Sequence, residues 1–300
     1  MEIQKIYGGK IEIGFEEKGH KYFINDKRVK YSSTGATRII DKSAPLMGWA
    51  VKCMALYLKG ELINEVEITE KIIENAKREY RNVSKQARDI GTAIHLWIEN
   101  WIKENEQEMP DDEKVVNGIT SFLKWQKLEK YKFIKKDCER LVFANLYRCI
   151  DCGYKVGKKE IHDELKCPKC GEKMLPFWYV GKLDAIATKG KKKILIDFKS
   201  SKGKDKKYLK PNEKTGIYDE YRYQLASYWN AYELEFGKTF DYGLIIRFDK
   251  NTGEFDADTC ILKITREEYK DDLKAFYGAL ALRFREGELK KLKKENEKII

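Results

Sequence analysis

The chain has 300 residues, enough for one sizeable core, and an apolar fraction of 42% excludes a wholly disordered protein. No apolar run approaches the roughly 18 residues of a membrane span, and the opening MEIQKIYGGKIEIGFEEKGH lacks the charged start and apolar block of a signal peptide. A cytoplasmic protein with no membrane partner is expected, and its net charge of +11, from 60 basic and 49 acidic residues, points weakly to a polyanionic partner.

Residues 10–31 alternate in two β-like pieces, IEIGF and HKYFIND, with Asn25 and Asp26 as turn residues. From about residue 34 to residue 130 the pattern is helical. Ile90, Ile94, Trp97 and Trp101 recur at helical spacing, as do Val115, Ile119, Phe122 and Trp125, and Pro110 with Asp111 and Asp112 marks a helix start. FIKKDCERLVFANLY then reads as a strand. WYVGKLDAIAT and KKILIDF read as two more, joined by a Lys-Gly-Lys turn. Residues 217–236 are helical, with Leu225, Tyr228, Trp229 and Tyr232 on the apolar side. DYGLIIRFD and TCILKI return to strand, and Thr265 caps a final helix with Glu268 three residues on. This order predicts an α/β core with a helical N-terminal half.

One insertion interrupts that order. CIDC, fourteen residues and CPKC span 149–170. In an intracellular chain such pairs read as metal ligands before disulfides. Four thiolates, Cys149, Cys152, Cys167 and Cys170, suit tetrahedral Zn²⁺, with an iron–sulfur cluster as the alternative. Gly153 and Gly171 follow the two pairs, as tight turns under a metal require. Cys53, Cys138 and Cys260 are isolated and are expected to be buried as small hydrophobes.

Asp184 ends one expected strand, and Asp197 and Lys199 lie near the end of the next. Residues two apart in a strand share a face, so Asp197 and Lys199 point together while Phe198 turns into a core. An antiparallel neighbour can bring Asp184 beside them. Two carboxylates and an ammonium suit phosphodiester hydrolysis: hard oxygen ligands bind Mg²⁺ or Mn²⁺, and the lysine can orient a water, help deprotonate it or neutralise charge. Taken alone, Asp-x-Lys is also the pattern of a surface ion pair. Residues 189–210 hold ten lysines and two aspartates, either a solvated loop or a set of phosphate contacts beside that strand.

The pattern Gly181-Lys182-Leu183-Asp184 followed by Asp197-Phe198-Lys199 resembles the PD-(D/E)XK nuclease superfamily, and more closely its RecB-like and phage exonuclease branch. The usual proline before the first aspartate is absent, with Leu183 in its place. Further residues match in order. Gly91 to His95 resembles the branch's upstream G-x-x-x-H helix, and Gln224 with Tyr228 its Q-x-x-x-Y helix. Glu139 stands where a glutamate lies on the preceding strand. HKYFINDKRVKYSSTGATRII and LMGWA resemble the branch's opening hairpin, turn and helix. The resemblance covers about residues 15 to 285; the four-cysteine insert departs from it.

The resemblance implies a restriction-endonuclease-like core, a central mixed sheet flanked by helices. Residues 1–130 would contribute a hairpin and helices, 131–286 the catalytic core, 147–176 a zinc-ribbon-like insert and 287–300 a basic tail. It implies a Mg²⁺- or Mn²⁺-dependent deoxyribonuclease acting in viral or recombination and repair DNA processing. An exonuclease is expected first, with a structure-specific or single-strand endonuclease and a non-catalytic zinc-containing nucleic-acid-binding protein as rivals. Metal would be held by Asp184, Asp197, the Phe198 carbonyl and His95, with support from Glu139. Lys199 would serve the attacking water, and Gln224 would orient ligands or backbone. Glu99, one turn after His95, would hold the imidazole. Tyr228, Lys202, Lys204, Lys206, Lys207 and Arg222 are the expected DNA contacts. A recombination or single-strand annealing protein and a second copy of the chain are further candidate partners.

Overall fold

The computed structural model describes residues 1–200 and 217–296. Strands β1 (Glu2–Ile6), β2 (Ile11–Glu16), β3 (Lys21–Ile24) and β4 (Lys27–Val29) form an antiparallel meander. Asn25 and Asp26 join the last two with φ of 44° and 62°, the left-handed pair that a two-residue hairpin turn needs. Helices α1 (Ser33–Thr37), α2 (Ser43–Ile63), α3 (Glu70–Lys103) and α4 (Glu113–Glu129) follow. Ile94, Ile98 and Ile102, one turn apart, bury the C-terminal half of α3. The Asp112 carboxylate accepts from the Lys114 and Val115 N–H groups at 2.8 and 3.0 Å, so α4 starts where its capping signal stands.

The chain then enters its strands. The single strand expected over FIKKDCERLVFANLY is instead β5 (Lys132–Phe133), a 3-10 turn (Lys135–Asp137), β6 (Arg140–Ala144) and β7 (Leu146–Cys149). Glu139 breaks it with a φ of 53°, which an extended ladder does not accommodate. β8 (Lys155–Gly157) and β9 (Met174–Pro176) flank β7 in a small three-stranded sheet that carries the cysteines. The strand expected over WYVGKLDAIAT is also divided, into β10 (Tyr179–Leu183) and β11 (Ala185–Lys189). β10 pairs with β6, whereas β11 pairs with β5 and with β12 (Lys192–Ser200). Asp184 lies at the change of partner.

Helix α5 (Asp219–Phe236), strand β13 (Tyr242–Phe248), the short α6 (Ala257–Cys260), strand β14 (Ile261–Ile264) and helix α7 (Arg266–Asn296) complete the fold. Thr265 and Glu268 form the expected reciprocal cap of α7, at 2.8 and 3.2 Å. That helix runs through 287–296, so those residues continue it and are not a separate tail.

The main sheet has the order β14-β13-β12-β11-β5, with β12 and β13 parallel and the other pairs antiparallel. Helices cover both faces. Ile194, Ile196 and Phe198 of β12 pack with Leu244, Ile246 and Phe248 of β13 beneath Ile94 of α3 and Phe122 and Trp125 of α4. The alternate residues Leu195 and Ile245 pack beneath Leu225 and Trp229 of α5 and Phe276 of α7. The fold is therefore mixed α/β with several sheets. By the same alternation Asp197 and Lys199 face the α5 side, at the C-terminal end of β12.

Gly181 of β10 sits directly beneath α5. A Cβ there would stand 2.9 Å from Cδ1 of Tyr228 and 2.9 Å from Oγ of Ser33. Gly181→Ala is accordingly expected to destabilise the protein by about 1–3 kcal/mol through overpacking. Urea denaturation of the two proteins measures this, and equal midpoints would show that Tyr228 yields freely.

Candidate active site and metal centre

Three elements converge at Asp184. The division between β10 and β11 turns its carboxylate toward the end of β12, where Oδ2 accepts from the Phe198 N–H at 2.6 Å. Its backbone carbonyl accepts from the Glu139 N–H at 2.8 Å, which sets Glu139 beside it. From α3, His95 brings Nδ1 to 3.9 Å from Asp184 Oδ1. One ligand atom each from His95, Glu139 and Asp184 lies within 4.8 Å of the others. Gly91, one turn before His95, gives α3 room against the strand end: a Cβ there would meet Ser200 Oγ at 2.8 Å.

Asp197 stands next to this trio and is only 1% exposed. Its carboxylate faces the Lys199 ammonium in an ion pair, and its Oδ1 has no hydrogen-bond partner. Lys199 Nζ in turn lies 5.0 Å from the centre of the Tyr221 ring. Glu139 pairs with Lys182 at 3.4 Å.

The electrostatics follow from packing three carboxyls into a half-closed site. Burial pushes Glu139 up to about 8, Asp184 adds repulsion, and Lys182 offsets part of it. Burial likewise raises Asp197 to about 6, against the pull of Lys199. Burial also raises Asp184, with Lys199 and the Phe198 N–H opposing. His95 falls to about 4, first from burial and then from the Lys199 charge. It is therefore a neutral imidazole at neutral pH, the form that ligates metals. Burial alone would discharge Lys199, but Asp197 and Asp184 outweigh it and hold the ammonium charged.

This is a donor set short of positive charge. It offers carboxylate oxygens, one of them buried without a partner, and a neutral imidazole, which together fit a hard divalent cation. The residues present could hold one.

Other expected roles come out differently. The Gln224 amide donates to Tyr228 Oη at 2.6 Å and to Thr34 Oγ1 at 3.4 Å, so it ties α5 to α1. Tyr228 is 4% exposed beneath that bond, too enclosed to touch DNA. Its match to Gly181 is a packing pair: the missing Cβ is what admits the ring. Arg222 binds Asp272 at 3.1 Å and Glu268 at 3.2 Å on α7, which leaves its guanidinium engaged. Glu99 pairs with Lys103 and does not hold His95. Lys202, Lys204, Lys206 and Lys207 lie outside the described residues. Lys189 to Lys193 occupy the hairpin between β11 and β12, at the opposite end of β12 and roughly 20 Å from Lys199 at the rise of a strand.

Sequence reasoning missed Lys182 and Tyr221. Both had a signal. Lys182 is two residues before Asp184, and Tyr221 is one turn before Gln224.

The second centre is the four-cysteine lobe. Sγ atoms of Cys149 and Cys170 lie 3.4 Å apart, and Cys152 lies 3.6 Å from both Cys167 and Cys170. A tetrahedron with metal–sulfur bonds of about 2.3 Å sets its sulfurs about 3.8 Å apart, so the four could bind a metal such as zinc. Gly153 and Gly171 have φ of 71° and 77°, the left-handed turns each pair requires. Cys53, Cys138 and Cys260 are buried singly, as expected. One zinc per chain is expected by elemental analysis, and Cys167→Ser should abolish it. Iron with visible colour would overturn the assignment.

No helix among the described residues is long and apolar enough to cross a membrane. No protein-family model matches the chain, and no curated protein matches it.

Proposed function

We propose that this chain is a Mg²⁺- or Mn²⁺-dependent deoxyribonuclease with a restriction-endonuclease-like core of the PD-(D/E)XK type. The carrying observation is the convergence of His95, Glu139 and Asp184 within 4.8 Å, beside a buried Asp197 oxygen that lacks a partner and a charged Lys199. The mixed sheet with helices on both faces and the position of the acids at strand ends support that core.

His95, Asp184 and Asp197 would hold the cation, with Glu139 beside them. A bound divalent cation would polarise the phosphoryl oxygen and activate a water. Lys199 remains an ammonium, so it acts as a charge: it holds the attacking water by hydrogen bonding and offsets the negative charge that builds on the phosphorane-like transition state. Asp197 and the Tyr221 ring fix the position of that ammonium. The Phe198 N–H fixes the Asp184 carboxylate.

DNA is the proposed substrate and an end-directed reaction the first reading. The test is hydrolysis of 5′- and 3′-labelled single- and double-stranded DNA, with a closed circle alongside, in Mg²⁺ and in Mn²⁺. Mononucleotide or short-oligonucleotide release from linear DNA with the circle intact is the expected result. Cutting of the circle would make it an endonuclease. DNA binding without hydrolysis of any form would overturn catalysis in favour of a zinc-containing binding protein.

A further inference from the structure

A groove of about 560 Å³ lies between the four-cysteine lobe and the last helix. Its walls are β7 and β9 of the lobe on one side and α7 on the other, with Lys30 and Tyr31 at one edge. A second hollow, of about 290 Å³, shares Lys30, Tyr31 and Gly287 with it and continues along α1 and α7.

Two features of this surface point to one occupant. The first is a ladder of three aromatic rings. Tyr31 stacks on Phe284 with centroids 4.1 Å apart at 28°, and Phe284 on Phe177 at 5.0 Å and 29°. All three line the groove; Tyr31 and Phe284 are partly exposed, and Phe177 is buried beneath them. Gly287, inside a helix, makes the ladder possible: a Cβ there would meet Lys30 Nζ at 2.8 Å and lie still closer to Tyr31 Oη. Glycine inside a helix costs about 1 kcal/mol relative to alanine, so this position gives up helix stability for the approach of Tyr31.

The second feature is charge. Lys30, Arg148 and Lys291 border the first groove, and Arg38, Arg283 and Lys290 the second. The two acids on the same surface, Glu286 and Glu288, each face an arginine of α7 at 2.8 and 3.0 Å. The surplus is positive along the whole course. Arg148 stands 5.8 Å from the Phe177 ring centre and Lys30 5.5 Å from that of Tyr31.

We propose that the groove between the four-cysteine lobe and α7 binds a single strand of DNA, with bases against the exposed parts of Tyr31 and Phe284 and phosphates on the bordering cations. Cations spaced along an aromatic floor match a strand whose bases are free to stack. A duplex hides its base faces and presents only phosphates to such a floor. The groove is also tied to α5, whose Tyr221 ring lies against Lys199. Arg283 donates to the Gly35 carbonyl of α1 at 3.1 Å, and Thr34 of α1 accepts from Gln224 of α5, one turn after Tyr221. The proposal rests on the nuclease reading for the identity of the polyanion. It gives the insert a role, since Arg148 and the ligand Cys149 form part of the wall.

The test is fluorescence anisotropy of labelled oligo(dT) in magnesium-free buffer without chelator, which leaves any metal of the four-cysteine lobe in place. Arg148 and Lys291 are exposed and outside the carboxylate cluster. Arg148→Glu/Lys291→Glu is expected to weaken binding at least about tenfold and lower the salt slope by about 1.4, with an unchanged thermal midpoint. Ultraviolet cross-linking of an iodouracil-substituted strand is expected to mark Tyr31 or Phe284. Unchanged binding by the double variant would overturn the proposal. So would cross-links that avoid both Tyr31 and Phe284, or a duplex that competes as well as the strand. Strand binding that depends on the groove in a protein that cuts no DNA would leave this proposal standing and remove the nuclease. Cleavage by a wild-type protein whose groove variant binds normally would do the reverse.

Discussion

Lys199→Ala is expected to lower metal-dependent cleavage of linear DNA by at least about 10²–10³-fold, the usual loss when one charge-stabilising donor leaves a water-poor site. The chemistry needs this particular group because Lys199 keeps its proton: the nearby Asp197 and Asp184 overcome the burial that would discharge it. A charged ammonium at the end of β12 is worth most when negative charge grows on the reacting phosphate, so the loss should fall on kcat and not on KM. The fold should survive. Removing one partner of a buried ion pair is ordinarily costly, but Asp197 already stands at about 6 with Lys199 present. It would take up a proton once the ammonium is gone. Single-turnover cleavage rates, DNA anisotropy and a thermal melt of the variant measure the three claims separately. Undiminished metal-dependent cleavage would remove Lys199 from the mechanism and, with it, the main reason for reading Asp197-Phe198-Lys199 as more than an ion pair.

Much of that site was legible because strand alternation is a local rule. It put Asp197 and Lys199 on one face and Phe198 on the other, and the structure has them so. The helices carrying Ile94 and Trp125, the cap at Asp112 and the reciprocal cap at Thr265 were equally local. The CxxC pairs announced their own proximity, since a common metal is the simplest reason for the spacing.

What stayed hidden depends on which strands pair. Asp184 was expected at a strand end, but nothing in WYVGKLDAIAT marks it as the residue where the chain exchanges β6 for β5 and β12 as partners. That change of partner is what points the carboxylate at Phe198. Glu139 was assigned to a strand for the same reason, whereas its positive φ places it at the end of one. Gln224 and Tyr228 are four apart on one helical face, and that spacing fits a ligand-orienting role as well as a packing one. Only the burial of Tyr228 and the bond of Gln224 to Thr34 separate the two. The lysine run illustrates the limit of composition. Residues 189–210 hold ten lysines, yet Lys189 to Lys193 sit in the hairpin between β11 and β12, at the far end of β12 from the acids.

Glu139→Gln is expected to make the metal-free protein more stable at alkaline pH while impairing cleavage. Burial and the charge of Asp184 raise Glu139 to about 8. A carboxyl whose pKa is higher folded than unfolded favours the fold when protonated. Its contribution is complete below its ordinary value near 4.5 and is lost as pH rises through about 8; Asp197, raised to about 6, adds a loss of the same sign at lower pH. His95, lowered to about 4, offsets part of that loss up to about pH 6.5, so the metal-free wild type should melt at lower temperature at pH 8 than at pH 5, with the fall steepest above about pH 6.5. Magnesium should reverse the trend, because a cation among these carboxylates stabilises only their ionised, folded arrangement. Glutamine keeps the shape of Glu139 without its charge, so its benefit should be under about 1 kcal/mol at pH 5 and on the order of 3 kcal/mol or more at pH 8. For a chain of this size that is a rise of several degrees. The magnesium-induced rise should shrink in the same variant. Thermal melts of both proteins at the two pH values, with and without magnesium, decide it. A wild type whose metal-free melting point rises with pH would show that the three carboxyls do not repel one another, and the case for a cation between them would fall.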